Sequence, residues 1–173
     1  MSQEQQPKLS PPGAIQRSTL LATVDDWFSY RVRVQPHRTD FSGTAWHGSY
    51  IAWMEEARVE CLHSVGISFA DLVALGCDLP VVDLSIRYHQ SVRLGMELVV
   101  KTRLSDITGV RVNWDYQIQS PNEQVLYATA RVTLVTIDRE KGKIMRQLPP
   151  TVKDAMTRLL EGFARSSYRM ASD

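Results

Sequence analysis

The stretch TDFSGTAWHGSYIAWMEEARVECLHSVG, residues 39–66, changes character along its length. It begins with small and polar residues, and from residue 48 onward apolar residues recur at helical spacing. This spacing predicts an amphipathic helix over residues 48–65, about 27 Å long at 1.5 Å per residue. Because the apolar surface is wide, we expect the helix to be largely enclosed. Gly66 is the expected residue just beyond its C-terminal end.

Outside this helix, apolar and polar residues alternate with a period of two, which predicts strands. Strands joined by short turns pair antiparallel. The sequence therefore predicts an α+β fold, in which a long central helix is wrapped by a five- to six-stranded antiparallel sheet. Exposed edges of such a sheet favour pairing with a second copy. The predicted strands cover residues 30–34, 81–93, 97–104, 110–119 and 125–137, and shorter helices cover 69–75 and 151–163.

The chain of 173 residues has the length of one domain. We expect a domain over residues 27–164 between flexible tails at 1–26 and 165–173. A net charge of +1 gives no reason to expect nucleic-acid binding, and no apolar run approaches the roughly 20 residues of a membrane span. Cys61 and Cys77 lack metal-type spacing and indicate reduced thiols in a cytoplasmic protein.

The chemistry-bearing residues cluster directly before the long helix. Asp40 precedes His47 across a loop in which Gly43 allows a tight turn. The helix start near His47 offers unpaired N–H groups and the positive end of the helix dipole, which can hold a carbonyl oxygen as it becomes negative. A nearby carboxylate could then attack or activate water. The alternative is structural: an aspartate that bonds its own loop or caps the helix.

The ordered pattern Thr-Asp-x-x-Gly-x-x-x-His-x-x-Tyr over residues 39–50, followed by Met-Glu-Glu-Ala-Arg at 54–58, resembles a known family. It is similar to the hot-dog-fold acyl-CoA thioesterases, in the branch of 4-hydroxybenzoyl-CoA thioesterase and the YbgC-type enzymes. The stretch Ser-Ile-Arg-Tyr-His-Gln-Ser-Val-Arg-Leu-Gly at 85–95 fits the same resemblance, which covers about residues 29–150.

The resemblance implies a hot-dog fold and hydrolysis of an acyl-CoA thioester to a carboxylic acid and free coenzyme A. It implies a homodimer or homotetramer with active sites at the subunit interface. No metal or cofactor is implied, because coenzyme A is part of the substrate. By position, Asp40 is the catalytic carboxylate, and His47 contributes its backbone N–H or its side chain. Other implied substrate-binding residues are Gly43, Trp46, Gly48, Tyr50 and Glu55, and basic residues that could meet coenzyme A phosphates are Arg87, His89, Arg93 and Lys101.

Several alternatives stay open at this stage. Phe41 and Trp46 are bulkier than the residues usual for the family and leave the acyl group undecided between aromatic and short-chain. Glu55 could serve the site or form an ion pair with Arg58, whereas Glu56 and Glu60 are expected on a solvated face. A hydratase or dehydratase acting on acyl thioesters, or a non-catalytic acyl-thioester-binding protein, would use the same fold.

Overall fold

The computed structural model describes residues 27–170, which contain two helices after the first strand, then seven strands in succession and a C-terminal helix. The helices are α1 (His47–Ser64), α2 (Phe69–Ala74) and α3 (Pro150–Met170). The strands are β1 (Phe28–Arg33), β2 (Cys77–Asp78), β3 (Val81–Tyr88), β4 (Glu97–Thr108), β5 (Arg111–Gln119), β6 (Leu126–Val135), β7 (Ile137–Asp138) and β8 (Lys143–Ile144). A short 3-10 turn, Pro36–Arg38, lies between β1 and α1.

Five strands form the main sheet in the order β1-β4-β5-β6-β3, with every neighbouring pair antiparallel. The predicted α+β class and the wrapped helix are confirmed, because α1 packs across one face of this sheet. On α1 the buried residues include Trp53, Met54 and Ala57, which belong to the same buried cluster as Trp114 and Ile118 of β5. Burying each large apolar side chain contributes about 1.5–3 kcal/mol, so the residues of this cluster stabilise the packing of α1 on the sheet.

One polar contact lies inside the core. The guanidinium of Arg58 on α1 is buried and donates to the Tyr116 hydroxyl of β5 at 3.0 Å. Burial raises the pKa of Tyr116, so its hydroxyl stays protonated. A buried charge is costly unless it is hydrogen-bonded, and this bond therefore ties α1 to the sheet. Cys61 and Cys77 are free and buried, and burial raises the pKa of Cys61 to about 12.

The end of α1 follows the predicted pattern. Gly66 has φ +80°, and the N–H of the next residue bonds to the carbonyl of Leu62 at 3.0 Å. A residue without a Cβ is favoured in this left-handed conformation. Ser68 then caps α2 by a reciprocal pair of hydrogen bonds with Asp71. The turn at Gly66 and the short helix α2 thus lead the chain from α1 toward the sheet.

Several element boundaries differ from the sequence prediction, and three of these differences change the strands most. β3 ends at Tyr88 instead of residue 93, because the N–H groups of His89 and Gln90 both bond to the Tyr127 carbonyl and the chain then leaves the sheet. The predicted strand 125–137 breaks at Thr136, and its last part joins a separate three-stranded sheet in the order β2-β7-β8. β4 continues four residues beyond the predicted end, to Thr108.

The C-terminal helix is longer than predicted. α3 runs from Pro150 to Met170, so residues 165–170, which we expected in a tail, continue the helix. Its first turns bury Val152, Met156 and Leu159 against the core. The expected tails at residues 1–26 and 171–173 lie outside the described residues. No helix within residues 27–170 is both long enough and apolar enough to cross a membrane.

Candidate active site

A polar loop, residues 39–46, joins the 3-10 turn to α1 and is called the Asp40 loop here. Its two ends pair across a bridge between Thr39 and Ala45, and the Asp40 N–H donates to the Thr44 carbonyl at 2.8 Å. Gly43 closes the turn with φ +74°, and its N–H bonds to the Asp40 carbonyl at 3.1 Å. The expected tight turn at Gly43 is therefore present, and it holds Asp40 at the surface.

The Asp40 carboxylate is exposed, and one of its oxygens is fully engaged. Oδ1 accepts from the Ser42 N–H at 2.8 Å, the Ser42 hydroxyl at 2.7 Å and the Thr44 N–H at 3.1 Å. These bonds, led by the Ser42 hydroxyl and helped by the charge of Arg93, hold the pKa of Asp40 below its ordinary value. The carboxylate is thus ionised at neutral pH. Among the described residues no hydrogen bond reaches Oδ2, so this oxygen is open to a substrate or a water molecule.

The first turn of α1 follows the loop directly. Trp46 is the N-cap residue and has no side-chain cap, whereas the Ser49 N–H already bonds to the Trp46 carbonyl at 2.9 Å. The backbone N–H groups of His47 and Gly48 have no partner among the described residues. They are the orphan donors expected at a helix start, and the dipole adds partial positive charge. This turn can accept a developing oxyanion.

The Trp46 indole lies across Gly48. A Cβ built at Gly48 would be 2.1 Å from two carbons of the indole ring, a separation that no side chain tolerates. The ring also meets the His47 imidazole edge-on, with centroids 5.3 Å apart. Trp46 is 47% exposed beside the helix start and is not among the residues that line the cleft described below. Phe41, in contrast, is fully exposed and lines no cavity among the described ones.

An open cleft of about 340 Å³ lies beside the first turn of α1. The Tyr50 and Tyr88 rings meet edge-on in its wall, with centroids 5.0 Å apart. The Tyr88 hydroxyl donates to the His47 carbonyl at 3.2 Å, and burial raises the pKa of Tyr88, which keeps this proton in place. Asp40 does not line the cleft within one chain. The lining residues are Thr44, Ala45, His47, Tyr50, Tyr88, His89, Gln90 and Ser91.

A family profile described as the thioesterase-like superfamily matches residues 34–159. The chain belongs to this superfamily. It is 48% identical over 164 residues to sll0410 of Synechocystis sp., a protein with a provisional esterase name, covering 92% of this chain and 99% of that one. It is 30% identical over 125 residues to the acyl-CoA thioester hydrolase YbgC of Escherichia coli O6:H1. This match covers 72% of this chain and 92% of YbgC.

A solved structure supports the same assignment. The fold matches the DHNA-CoA thioesterase of Staphylococcus aureus with a TM-score of 0.71 and 26% identity, covering 78% of this chain and 91% of that one. The family expectation from the motif and the hot-dog fold are therefore confirmed. This thioesterase-like chain is a thioester hydrolase.

Tyr88 is one of the cleft-lining residues of this thioesterase that the sequence analysis did not single out. It is the last residue of β3, on the same strand face as Leu84 and Ile86. The alternation in that strand contained the signal, because an aromatic residue at the end of the core-facing row reaches beyond the core. The sequence analysis placed Tyr88 in the predicted strand and gave it no role in the site.

The predicted coenzyme A residues fall in different places. His89 lines the cleft and its Nε2 lies 3.0 Å from the Thr129 hydroxyl, while Arg87 is exposed on β3. Arg93 bridges to Thr44 and is therefore next to the Asp40 loop. Lys101 is different, because its side chain is only 5% exposed and pairs with Glu123 at 2.8 Å. The structure brings His89 and Arg93 to the site, leaves Arg87 two residues from it, and sets Lys101 in the sheet.

The acidic residues of α1 correct the sequence prediction. Glu55 is exposed and does not line the cleft, and Arg58 bonds to Tyr116 instead of pairing with it. Glu56, expected on a solvated face, is partly buried and pairs with Arg38 at 2.8 Å. The helical phase explains both results, because residue 58 lies on the buried side of α1 and residue 56 faces the 3-10 turn. Within residues 27–170 no cluster of His, Cys, Asp or Glu has an arrangement that could hold a metal ion.

Proposed function

We propose that this thioester hydrolase cleaves acyl-CoA thioesters to a carboxylic acid and free coenzyme A. The observation that carries the proposal is the position of an ionised, solvent-facing carboxylate, Asp40, in the loop that leads into an uncapped helix start. The family and the acyl-CoA thioester hydrolase YbgC among its relatives support the same substrate class. No cofactor enters the proposed reaction, since water is the second substrate.

Asp40 acts through its open oxygen, Oδ2. As a general base it removes a proton from water, whose oxygen attacks the acyl carbon; as a nucleophile it attacks that carbon itself, and water then hydrolyses the acyl-enzyme. The N–H groups of His47 and Gly48 hold the oxyanion that forms. In both routes the C–S bond breaks when this first oxyanion collapses, before water hydrolyses any acyl-enzyme. The thiolate leaves without a strong general acid because thiols have a pKa of about 8.5. The proton taken from water ends on the departing sulfur or in solvent.

The catalytic unit is proposed to be a homodimer or homotetramer with the site at the interface between copies. Two features support this. Asp40 lies outside the cleft formed by its own chain, so a second chain would complete the enclosure. Strand β3 is an edge of the main sheet and exposes Val81, Val82 and Leu84, an arrangement that proteins usually cover or pair.

The acyl group is proposed to be aromatic or short-chain. A cleft of about 340 Å³ lies at the lower end of the range for ligand pockets, about 300–1,000 Å³, and two tyrosine rings form part of its wall. The Trp46 indole meets the His47 imidazole, which lines the cleft. We place the phosphates of coenzyme A toward Arg87, His89 and Arg93, where cationic or hydrogen-bonding side chains follow β3.

The test measures release of free thiol from acyl-CoAs that carry acetyl, palmitoyl, benzoyl, 4-hydroxybenzoyl and phenylacetyl groups. The variants are Asp40→Asn and, as a matched control, Asp138→Asn. Asp138 resembles Asp40 in that its Oδ1 accepts two backbone N–H groups and its pKa is lowered by these bonds and by Lys141. It lies in β7, however, and does not line the cleft.

We expect Asp40→Asn to lower kcat by about 10²–10⁴-fold, the range of general acid–base contributions, and Asp138→Asn to leave it unchanged. Full activity in Asp40→Asn would remove Asp40 from its role. If the wild type releases no thiol but hydrates enoyl-CoA, the hydratase alternative is correct. Binding of acyl-CoA without either reaction would identify an acyl-thioester-binding protein.

A further inference from the structure

The Asp40 loop is attached to the rest of the chain on two sides. On one side the Ala45 N–H donates to the Val92 carbonyl at 2.8 Å, and the Leu94 N–H donates to the Gly43 carbonyl at 2.9 Å. These bonds fasten the loop to the turn that follows β3. They leave open how the loop keeps its position relative to α1, which carries the orphan N–H groups.

On the other side three contacts involve Arg38, two residues before Asp40. Its carbonyl accepts from the Ser49 hydroxyl at 2.7 Å and from the Trp46 N–H at 3.4 Å. Its guanidinium pairs with Glu56 of α1, with Nη2 and Oε1 2.8 Å apart. One residue thus contacts the N-cap, the first turn and the middle of the same helix.

The Glu56 end of this pair is also fixed. The other oxygen of Glu56, Oε2, accepts from the Tyr30 hydroxyl of β1 at 3.4 Å. The Arg38 side chain is 27% exposed and that of Glu56 38% exposed, so water screens the pair only in part. Since residue 56 lies nine residues into α1 after His47, the attachment point is about 13–14 Å from the helix start at 1.5 Å per residue. The pair therefore sets the orientation of the loop along the helix and adds to the local contacts at its end.

We propose that Arg38 and Glu56 are a positioning pair that holds the Asp40 carboxylate in register with the N–H groups at the start of α1. This inference rests on the proposed function of Asp40. Neither side chain lines the cleft, so neither touches the substrate within one chain. The pair acts through geometry, and a misplacement of about 1 Å at a reacting group can cost about 10²-fold in rate.

The experiment reverses the pair by Arg38→Glu, by Glu56→Arg and by both substitutions together. Each single variant places two like charges opposite each other and pushes the loop from the helix. We expect kcat to fall about 10- to 100-fold in each, with KM changed less than threefold, because loop position and not substrate binding is lost. The double variant restores the attraction with opposite polarity, and we expect it to recover at least a third of the wild-type kcat. The Tyr30 hydroxyl can accept a hydrogen bond from the guanidinium introduced by Glu56→Arg.

Arg33 and Glu97 provide the matched control. Their side chains also lie 2.8 Å apart, but they join β1 to β4, and both are more than half exposed. Reversing this pair by the corresponding single and double substitutions should leave kcat and KM unchanged. An equal loss of activity on reversing Arg33 and Glu97 would show a general charge effect and overturn the proposal.

A second measurement is independent of turnover. Amide hydrogen exchange at Asp40 and Thr44, whose N–H groups bond within the loop, should accelerate in the two single variants and return toward wild type in the double variant. Unchanged exchange, or kcat losses that simply multiply in the double variant, would overturn the positioning role. If the wild type hydrolyses no acyl-CoA, the proposed function fails, and the exchange rates alone then decide whether the pair holds the loop.

Discussion

Trp46 and Trp53 are only seven residues apart in the sequence but belong to two different regions, the Asp40 loop and the core beneath α1. Trp53 belongs to the core beneath α1 and is 1% exposed, packed with apolar side chains of the sheet. Trp46 ends the Asp40 loop and is 47% exposed, in a segment whose shape depends on hydrogen bonds and one ion pair. Burial of apolar side chains determines the structure of the core around Trp53. Polar contacts determine the shape of the Asp40 loop. The comparison teaches that the fold and the proposed chemistry can be altered separately.

The largest effect is expected from Trp53→Ala. Truncating a buried tryptophan removes its transfer free energy and leaves a cavity, which costs about 3–5 kcal/mol of the free energy of unfolding. The matched substitution Trp46→Ala, on the exposed ring, should cost about 1 kcal/mol or less. Urea unfolding of both variants measures the difference. Equal destabilisation by the two substitutions would contradict the expectation that the core contributes more to the free energy of unfolding than the Asp40 loop.

A smaller effect is expected from Tyr116→Phe. This change leaves the buried Arg58 guanidinium without its acceptor, which costs about 1–3 kcal/mol. Tyr88→Phe also removes one hydroxyl hydrogen bond, but in a half-exposed ring where water can replace it, so we expect at most about 1 kcal/mol. Thermal unfolding compares the pair. A larger loss in Tyr88→Phe would show that the cleft wall, and not the core, is the more stabilising of the two.

The smallest effect is expected in the titration of Asp40. Ser42→Ala removes the hydroxyl that contributes most to the lowered pKa of Asp40, so the pKa should rise toward its ordinary value of 3.8. Because the native pKa is depressed, the ionised form is stabilised above the unfolded pKa, and this stabilisation is lost as pH falls through the native value. Ser42→Ala therefore moves the loss of the ionised form to higher pH.

NMR titration of the Asp40 carboxyl measures this shift. Thr44→Val serves as the control, because it removes a hydroxyl while the Thr44 N–H still donates to the carboxylate. An unchanged pKa in Ser42→Ala, or an equal rise in Thr44→Val, would show that the hydroxyl is not the cause. In both variants the free energy of unfolding at neutral pH should change little, since the Asp40 carboxylate is exposed.

Secondary structure was predicted well from the sequence wherever apolar residues recur with a regular period on the buried face. The long helix and its stop at Gly66 were found because apolar spacing and a left-handed glycine are local signals. The small sheet of β2, β7 and β8 was missed, because strands of two residues are too short to show any alternation. Strand β3 ends at Tyr88 because the N–H groups of His89 and Gln90 both bond to the carbonyl of Tyr127. Tyr127 is far away in the sequence, so no local pattern could predict this end.

The candidate site was predicted in part for the same reason. Asp40, Gly43 and the helix start are neighbours in sequence, so their motif could be recognised before the fold was known. The pairing of Arg38 with Glu56 could not, because helical spacing made Glu55 and Arg58 the obvious partners. Tertiary packing turned Arg58 inward to Tyr116, and contact with the 3-10 turn selected Glu56 instead.

The packing of the Trp46 indole on Gly48 also constrains how this protein can diverge. Any side chain at position 48 collides with the ring, so such a substitution survives only after the residue at 46 has become smaller or has moved. The reverse order carries no such barrier, because losing the ring leaves Gly48 without a clash. A substitution at position 48 therefore requires the half-exposed Trp46 ring to turn away, whereas a smaller residue at position 46 removes that requirement.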